Sequence, residues 1–377
     1  MTARRTRPVV AIALFMLSAA GAAAFFPLPT PEPWSVDWRA HAAGPVDSRH
    51  VYWVGHSLVN ARDARVEPSF DLMQAVGRLA EAAGLAYASF DHTLFGAPLS
   101  LLVRGRPHSY ERDAPEMPAR LEGLRRGAAR YDTLVLTEGL PVGRSLEREH
   151  GAYYAQELYC ALVARRPDAR VYVYESWGHL HASDPDGDYP SPSVYDWRAR
   201  LRADRAHWER LADLAATGAV PPPGLLARPR ARFAPAHGCT PPGPIFLVPV
   251  GAAFGALADR LAREPLSLGE RTLAIADLFS NPYTSWPEGW PRATPLAPAA
   301  EAAALAGLTR RFPADELDDI HPSALGIYLA ALVHYATLYR RSPEGLPALV
   351  PLPEATNRAL QRLAWDVVRA EPRAGVR

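Results

Sequence analysis

From His50 onward, short β-branched and aromatic runs alternate with longer helical patterns, and this alternation limits the fold more than any other feature. Val51-Tyr52-Trp53-Val54, Thr133-Leu134-Val135-Leu136 and Val171-Tyr172-Val173-Tyr174 are the clearest runs, with weaker ones at 87–90 and 245–248. Such runs are apolar at nearly every position, as strands covered on both faces must be. Helical patterns near 69–83, 153–164, 194–215 and 325–338 lie between or after them. The order predicts βαβ units and a three-layer α/β sandwich, a mainly parallel sheet with helices on both faces. Two Pro-rich stretches, 221–244 and 281–298, interrupt the pattern. Both exceed ordinary connections and are expected as lids or surface insertions.

The amino terminus carries an address. Arg4, Arg5 and Arg7 precede an uncharged, mostly apolar run of 18 residues, 9–26, which ends in Ala22-Ala23-Ala24 before Phe25. A basic flank, an apolar core and small residues describe a secretory signal, and the same length is the lower limit for a membrane-spanning helix. Residues 1–26 are therefore expected as either a signal peptide or a single anchor, with the rest of the chain exported. A Pro-rich tether follows over 27–48, then a main domain over 49–345 and a helical extension over 346–377. Two cysteines, Cys160 and Cys239, suit an oxidising compartment, either as a disulfide or as separate thiols. With 41 basic against 40 acidic residues, net charge is +1, and no clustered positive excess suggests a nucleic-acid partner. Every basic residue is Arg, which removes Lys-dependent chemistry such as Schiff bases and Ser–Lys dyads.

Two segments can carry chemistry. The first strand candidate ends in Gly55-His56-Ser57-Leu58, so Ser57 stands where a parallel sheet opens its ligand crevice. Alone, a serine there is as well read as a helix cap. Asp318-Asp319-Ile320-His321-Pro322-Ser323 precedes the apolar helical stretch at 325–338. A carboxylate three residues before an imidazole can orient one ring nitrogen and leave the other to accept a proton. Alone, this too is as well read as a helix-start loop.

Together, the two segments resemble the SGNH (GDSL-like) hydrolase superfamily, over about 50–340. The resemblance rests on Gly55-His56-Ser57-Leu58 and on Asp318-Asp319-Ile320-His321-Pro322, with the serine first and the Asp/His pair last. It implies a flavodoxin-like fold and a catalytic set of Ser57, His321 and Asp318, with no metal and no organic cofactor. Phe95-Gly96-Ala97-Pro98-Leu99 is similar to the family's second block, which implies an oxyanion hole built from the Ser57 and Gly96 amides. The third block departs. The family's Gly-x-Asn-Asp is replaced by Thr137-Glu138-Gly139-Leu140, and the only asparagines are Asn60, Asn281 and Asn357. An ionised Glu138 would repel an oxyanion, so either it is protonated, or it orients other groups, or the hole relies on the two amides. Asn60 can contribute or merely cap a helix, and His56 stands where the family commonly has Asp.

Other features are weaker. Asp184-Pro185-Asp186-Gly187-Asp188 has alternating carboxylates but lacks the later Glu of a calcium loop, so a solvated loop is expected. Trp177, His179 and His181 follow the fourth strand and are expected as crevice wall. Tyr283, Trp286 and Trp290 either stack on sugars or pin their loop. The resemblance and the export signal imply a serine esterase acting on acyl, above all acetyl, esters of carbohydrate or on another small ester. An O-acyltransferase with the same triad, and a non-catalytic polysaccharide-binding protein on the same fold, are the alternatives.

Overall fold

The computed structural model describes residues 36–63, 69–109, 112–180, 197–218, 220, 239, 243–279 and 320–377. Five strands form one parallel sheet: β1 (Ser48–Gly55), β2 (Ala86–Thr93), β3 (Thr133–Leu136), β4 (Arg170–Tyr174) and β5 (Phe246–Val248). Their spatial order is β2-β1-β3-β4-β5, the flavodoxin-like doubly wound order. A small antiparallel ribbon, β6 (Ser267–Leu268) with β7 (Arg271–Thr272), lies outside it.

Alternation along each strand divides the core in two. Val51, Trp53, Val135, Tyr172, Tyr174 and Val248 face one layer, while Tyr52, Val54, Leu134, Leu136, Val173 and Leu247 face the other. After a single helical turn, α1 (Trp38–His41), comes the short α2 (Ser57–Asn60), which leaves β1. The first layer holds α3 (Leu72–Ala82), with α9 (Val250–Leu261), α10 (Ala324–Tyr339) and α11 (Glu354–Ala370). The second layer is built by α4 (Leu99–Arg104), α5 (Met117–Gly127), α6 (Val142–Arg148), α7 (Gly151–Val163) and most of α8 (Trp197–Thr217). All sixteen residues of α10 are buried; Thr337 donates to the Val333 carbonyl and His334 Nδ1 to that of Ala330 within the helix, while the Tyr328 and Tyr339 hydroxyls donate to Asn357 and to the Ala86 carbonyl outside it. A helix apolar all round must be enclosed on every side, and α10 is.

The compact unit runs from Asp37 to Arg377. Residues 37–48, expected in a tether, are tied to the domain at several points, with Trp38 and Val46 partly buried against the core. Ala43 pairs with Val376, and Arg170, the first residue of β4, donates to the carbonyls of Gly375 (3.3 Å) and His41 (2.7 Å). Residues expected in a terminal extension likewise bury Leu360, Ala364 and Val368 in the main core. Cys160 on α7 and Cys239 form a disulfide with Cα atoms 5.8 Å apart. Among the described residues no helix is long and apolar enough to cross a membrane, and 1–35 lie outside them.

Candidate active site

β1 must end in glycine for a steric reason. A Cβ at Gly55 would lie 2.6 Å from Thr137 Cγ2 and 3.1 Å from Val59 Cγ2. The chain passes through extended His56 and turns at once into α2, whose first residue is Ser57. His56 holds the turn with both ring nitrogens. Its Nδ1 accepts from the Leu58 amide (3.4 Å), so Nε2 carries the proton and donates to the Glu138 carbonyl (2.9 Å). Burial, against the help of that bond, lowers its pKa to about 4, so the ring beside Ser57 is neutral.

From the far end of the chain, His321 meets this serine. Its Nε2 lies 2.7 Å from Ser57 Oγ across 264 positions, within hydrogen-bond reach, and both residues are 6% exposed. Four contacts fix the loop that carries it. Trp177 Nε1 donates to the Ile320 carbonyl at 2.8 Å, and Pro322 pairs with Phe279. The Ser323 amide donates to the Leu278 carbonyl at 2.8 Å. Asp63, just past α2, accepts from the Ala324 amide at 3.0 Å, so its carboxylate sits at the positive end of α10. Gly326 is needed for this packing, since a Cβ there would lie 2.1 Å from the Leu278 carbonyl oxygen.

The second block closes the near side. The Leu94 amide donates to the Gly55 carbonyl at 3.0 Å, which ties the exit of β2 to the exit of β1. The following turn carries Phe95, whose ring centre is 6.1 Å from that of His321, and then Gly96 at φ +60°. That left-handed conformation suits glycine. Glu138, fully buried, turns its carboxyl to the amides of Gly139 (2.6 Å) and Leu99 (3.0 Å). Among the described residues, no group of three His, Cys, Asp or Glu is arranged to hold a metal ion.

Ser57 and His321 thus stand at the carboxyl ends of a 2-1-3-4-5 sheet, one just past β1 and the other just before the last enclosed helix. The strand order and the two helical layers are those of a flavodoxin-like α/β sandwich. No protein-family profile matches the sequence, and no curated protein does. Among solved structures, the chain is similar to a DUF4886 family protein from Bacteroides uniformis, with TM-score 0.46 and 13% identity over 86% of this chain and 95% of that one. It is also similar to a putative GDSL-like lipase from Parabacteroides merdae, with TM-score 0.34 and 13% identity over 78% and 96% of the two chains. A variant of an acetyl xylan esterase from Geobacillus stearothermophilus matches with TM-score 0.30 and 12% identity over 60% and 88%.

Of the residues singled out from sequence, Ser57 and His321 meet in this site, His56 and Trp177 lie directly against it, and Gly96 lies in the turn beside it. Asp318 lies outside the described residues, as do His181, the 184–188 carboxylates, Tyr283, Trp286, Trp290 and most of both Pro-rich stretches. Trp177 is 1% exposed, and its indole N–H is spent on the Ile320 carbonyl, so it supports the loop that carries His321. Asn60 ends α2 with its Oδ1 buried and without a hydrogen-bond partner among the described residues. Asp63 was missed because its partner is 261 positions away and no local pattern announces the contact.

Proposed function

We propose that this chain is an exported serine esterase that removes acyl groups, above all acetyl, from carbohydrate through an acyl-enzyme. The carrying observation is the 2.7 Å approach of His321 Nε2 to Ser57 Oγ. Ser57 attacks the ester carbonyl as His321 takes its proton, and the tetrahedral intermediate collapses as His321 gives that proton to the departing alcohol. Water then attacks the acyl-enzyme, again losing a proton to His321, and releases the carboxylic acid with Ser57 restored. Asp318, three residues before His321, is assigned to orient the imidazole. The amides of Ser57 and Gly96 are assigned to receive the negative oxygen. Export is supported by the apolar segment at 9–26 and by the Cys160–Cys239 disulfide, since such bonds persist in oxidising compartments. The carbohydrate substrate is supported by the SGNH resemblance of the two blocks.

Fluorophosphonate labelling and hydrolysis of p-nitrophenyl acetate and of acetylated xylan test the proposal. Wild-type protein should be labelled and release acetate, Ser57→Ala should do neither, and His321→Ala should lose about 10⁴–10⁶-fold in kcat. Labelling that persists in Ser57→Ala, or none in the wild type, would remove the esterase assignment.

A further inference from the structure

Glu138 occupies the block in which the SGNH family carries an oxyanion-binding Asn, yet it faces away from that task. Its Oε1 accepts from the amides of Gly139 (2.6 Å) and Leu99 (3.0 Å), and its own carbonyl accepts from His56 Nε2 (2.9 Å). Leu99 is the first residue of α4, three positions after Gly96, and Pro98 before it supplies no side-chain cap. Glu138 therefore caps α4 from the neighbouring strand exit, while its carbonyl secures the ring that caps α2 at Ser57. One residue thus holds both turns whose amides are assigned to the oxyanion. We propose that Glu138 is a positioning residue for the oxyanion side of this site, acting through His56 and Leu99 without touching substrate, and that it does so as a neutral acid. The proposal rests on the esterase reading above.

The surroundings argue for the neutral form. Oε2 is buried without a hydrogen-bond partner among the described residues, so a charge there would go uncompensated. Burial chiefly, and then the nearby Glu149, raises the Glu138 pKa to about 8 despite its two amide bonds. Glu149, at the end of α6, is the member of the pair that ionises. Burial opposes its charge, but Ser100 Oγ (2.5 Å) and the amides of His108 (2.8 Å) and Ser109 (2.7 Å) outweigh that and hold its pKa below the usual value. Among the described residues, α4 meets Glu138 with the Leu99 amide, α7 with Gly151, and the turn after β1 with the neutral His56. Two adjacent carboxylates cannot both ionise cheaply. Above about pH 8 Glu138 should charge against Glu149, and the brace should loosen.

The test is kcat and KM for p-nitrophenyl acetate over about pH 6 to 10, with fluorophosphonate labelling rates, for full-length variants. Glu138→Gln keeps an acceptor for both amides and has no charge to gain. It should hold kcat within about 3-fold at neutral pH and abolish the wild-type fall above pH 8. Glu138→Ala should lose about 10²-fold in kcat with KM nearly unchanged, the expected effect of a displaced but intact site. Gly151→Ala reaches the same group from outside, because its Cβ would stand 2.2 Å from Glu138 Oε2. Alanine is otherwise the better helix former there, so a matching kcat loss in a folded protein reports the displaced carboxyl. Wild-type kcat in Glu138→Ala, or an alkaline fall surviving in Glu138→Gln, overturns the proposal while labelling of Ser57 leaves the esterase reading standing. No turnover and no labelling in the wild type would end both.

Discussion

Asp63 links the two ends of the site through a single carboxylate. It follows Ser57 by six residues, is 4% exposed, and accepts from the Ala324 amide at the start of α10. Asp63→Ala would leave a buried N–H without its acceptor, which costs about 1–3 kcal/mol. Urea unfolding should show that loss, and kcat should fall with it because the His321 loop is no longer held to the serine side. Asp63→Asn keeps an acceptor oxygen and should recover most of the stability. Trp177 makes the complementary case. Trp177→Phe preserves an aromatic ring but removes the donor to the Ile320 carbonyl, so it should lower kcat more than it lowers stability. Equal activity of Trp177→Phe and wild type would mean that Phe279, Ser323 and Asp63 hold the His321 loop without the indole.

The elements differ in how openly the sequence displays them. All five strands of the sheet lie where apolar runs predict them; in β3, β4 and β5 burial on both faces leaves little choice of residue, whereas the edge strand β2 is mostly exposed and reads more weakly. Helices α3, α7, α8 and α10 are likewise anticipated. By contrast, α4 and α6 are six and seven residues long, too short for a periodic pattern, and α9 carries Gly251 and Gly255, which lower helix propensity. Those helices form because tertiary packing offers them a surface: α4 lies on α5, α7 and β1, α6 on α7 and α8, and α9 on α8, α10 and α11. The site divides in the same way. Ser57 and His321 are legible because each sits in a compact motif beside a strong element, and the structure brings them together. The destination of the Glu138 carboxyl is not legible, since Leu99 is 39 positions away and joined to it only by tertiary packing. The cysteines left two options open, and the structure pairs them, stapling α7 to the segment before β5. Reduction, or Cys160→Ser with Cys239→Ser, should cost about 2–4 kcal/mol in chemical unfolding.

At the scale of the whole molecule, buried titrating groups set how stability varies with pH. His56 and His92 have pKa values lowered to about 4 and His334 to about 3, in each case chiefly by burial. Each is neutral in the fold, so its contribution is present above the ordinary value of 6.5 and is lost as pH falls towards 4. Glu138 and Glu175, the latter just past β4, are raised from 4.5 to about 8, again chiefly by burial. Their contribution is full below 4.5 and is lost as pH rises through 8. The two sets oppose each other in mildly acid solution, but between pH 6.5 and 8 only the acids act. Calorimetry should therefore show a melting midpoint that declines across that interval, and Glu138→Gln with Glu175→Gln should flatten it. The pairing of Ala43 with Val376 beneath β4 has a practical consequence. Both ends of the compact unit leave from the rim opposite Ser57 and His321. A resin coupled through a carboxyl-terminal tag would grip the floor and leave the mouth clear, so if the proposed activity holds, bead-bound protein should act on long acetylated polymers as readily as free protein does.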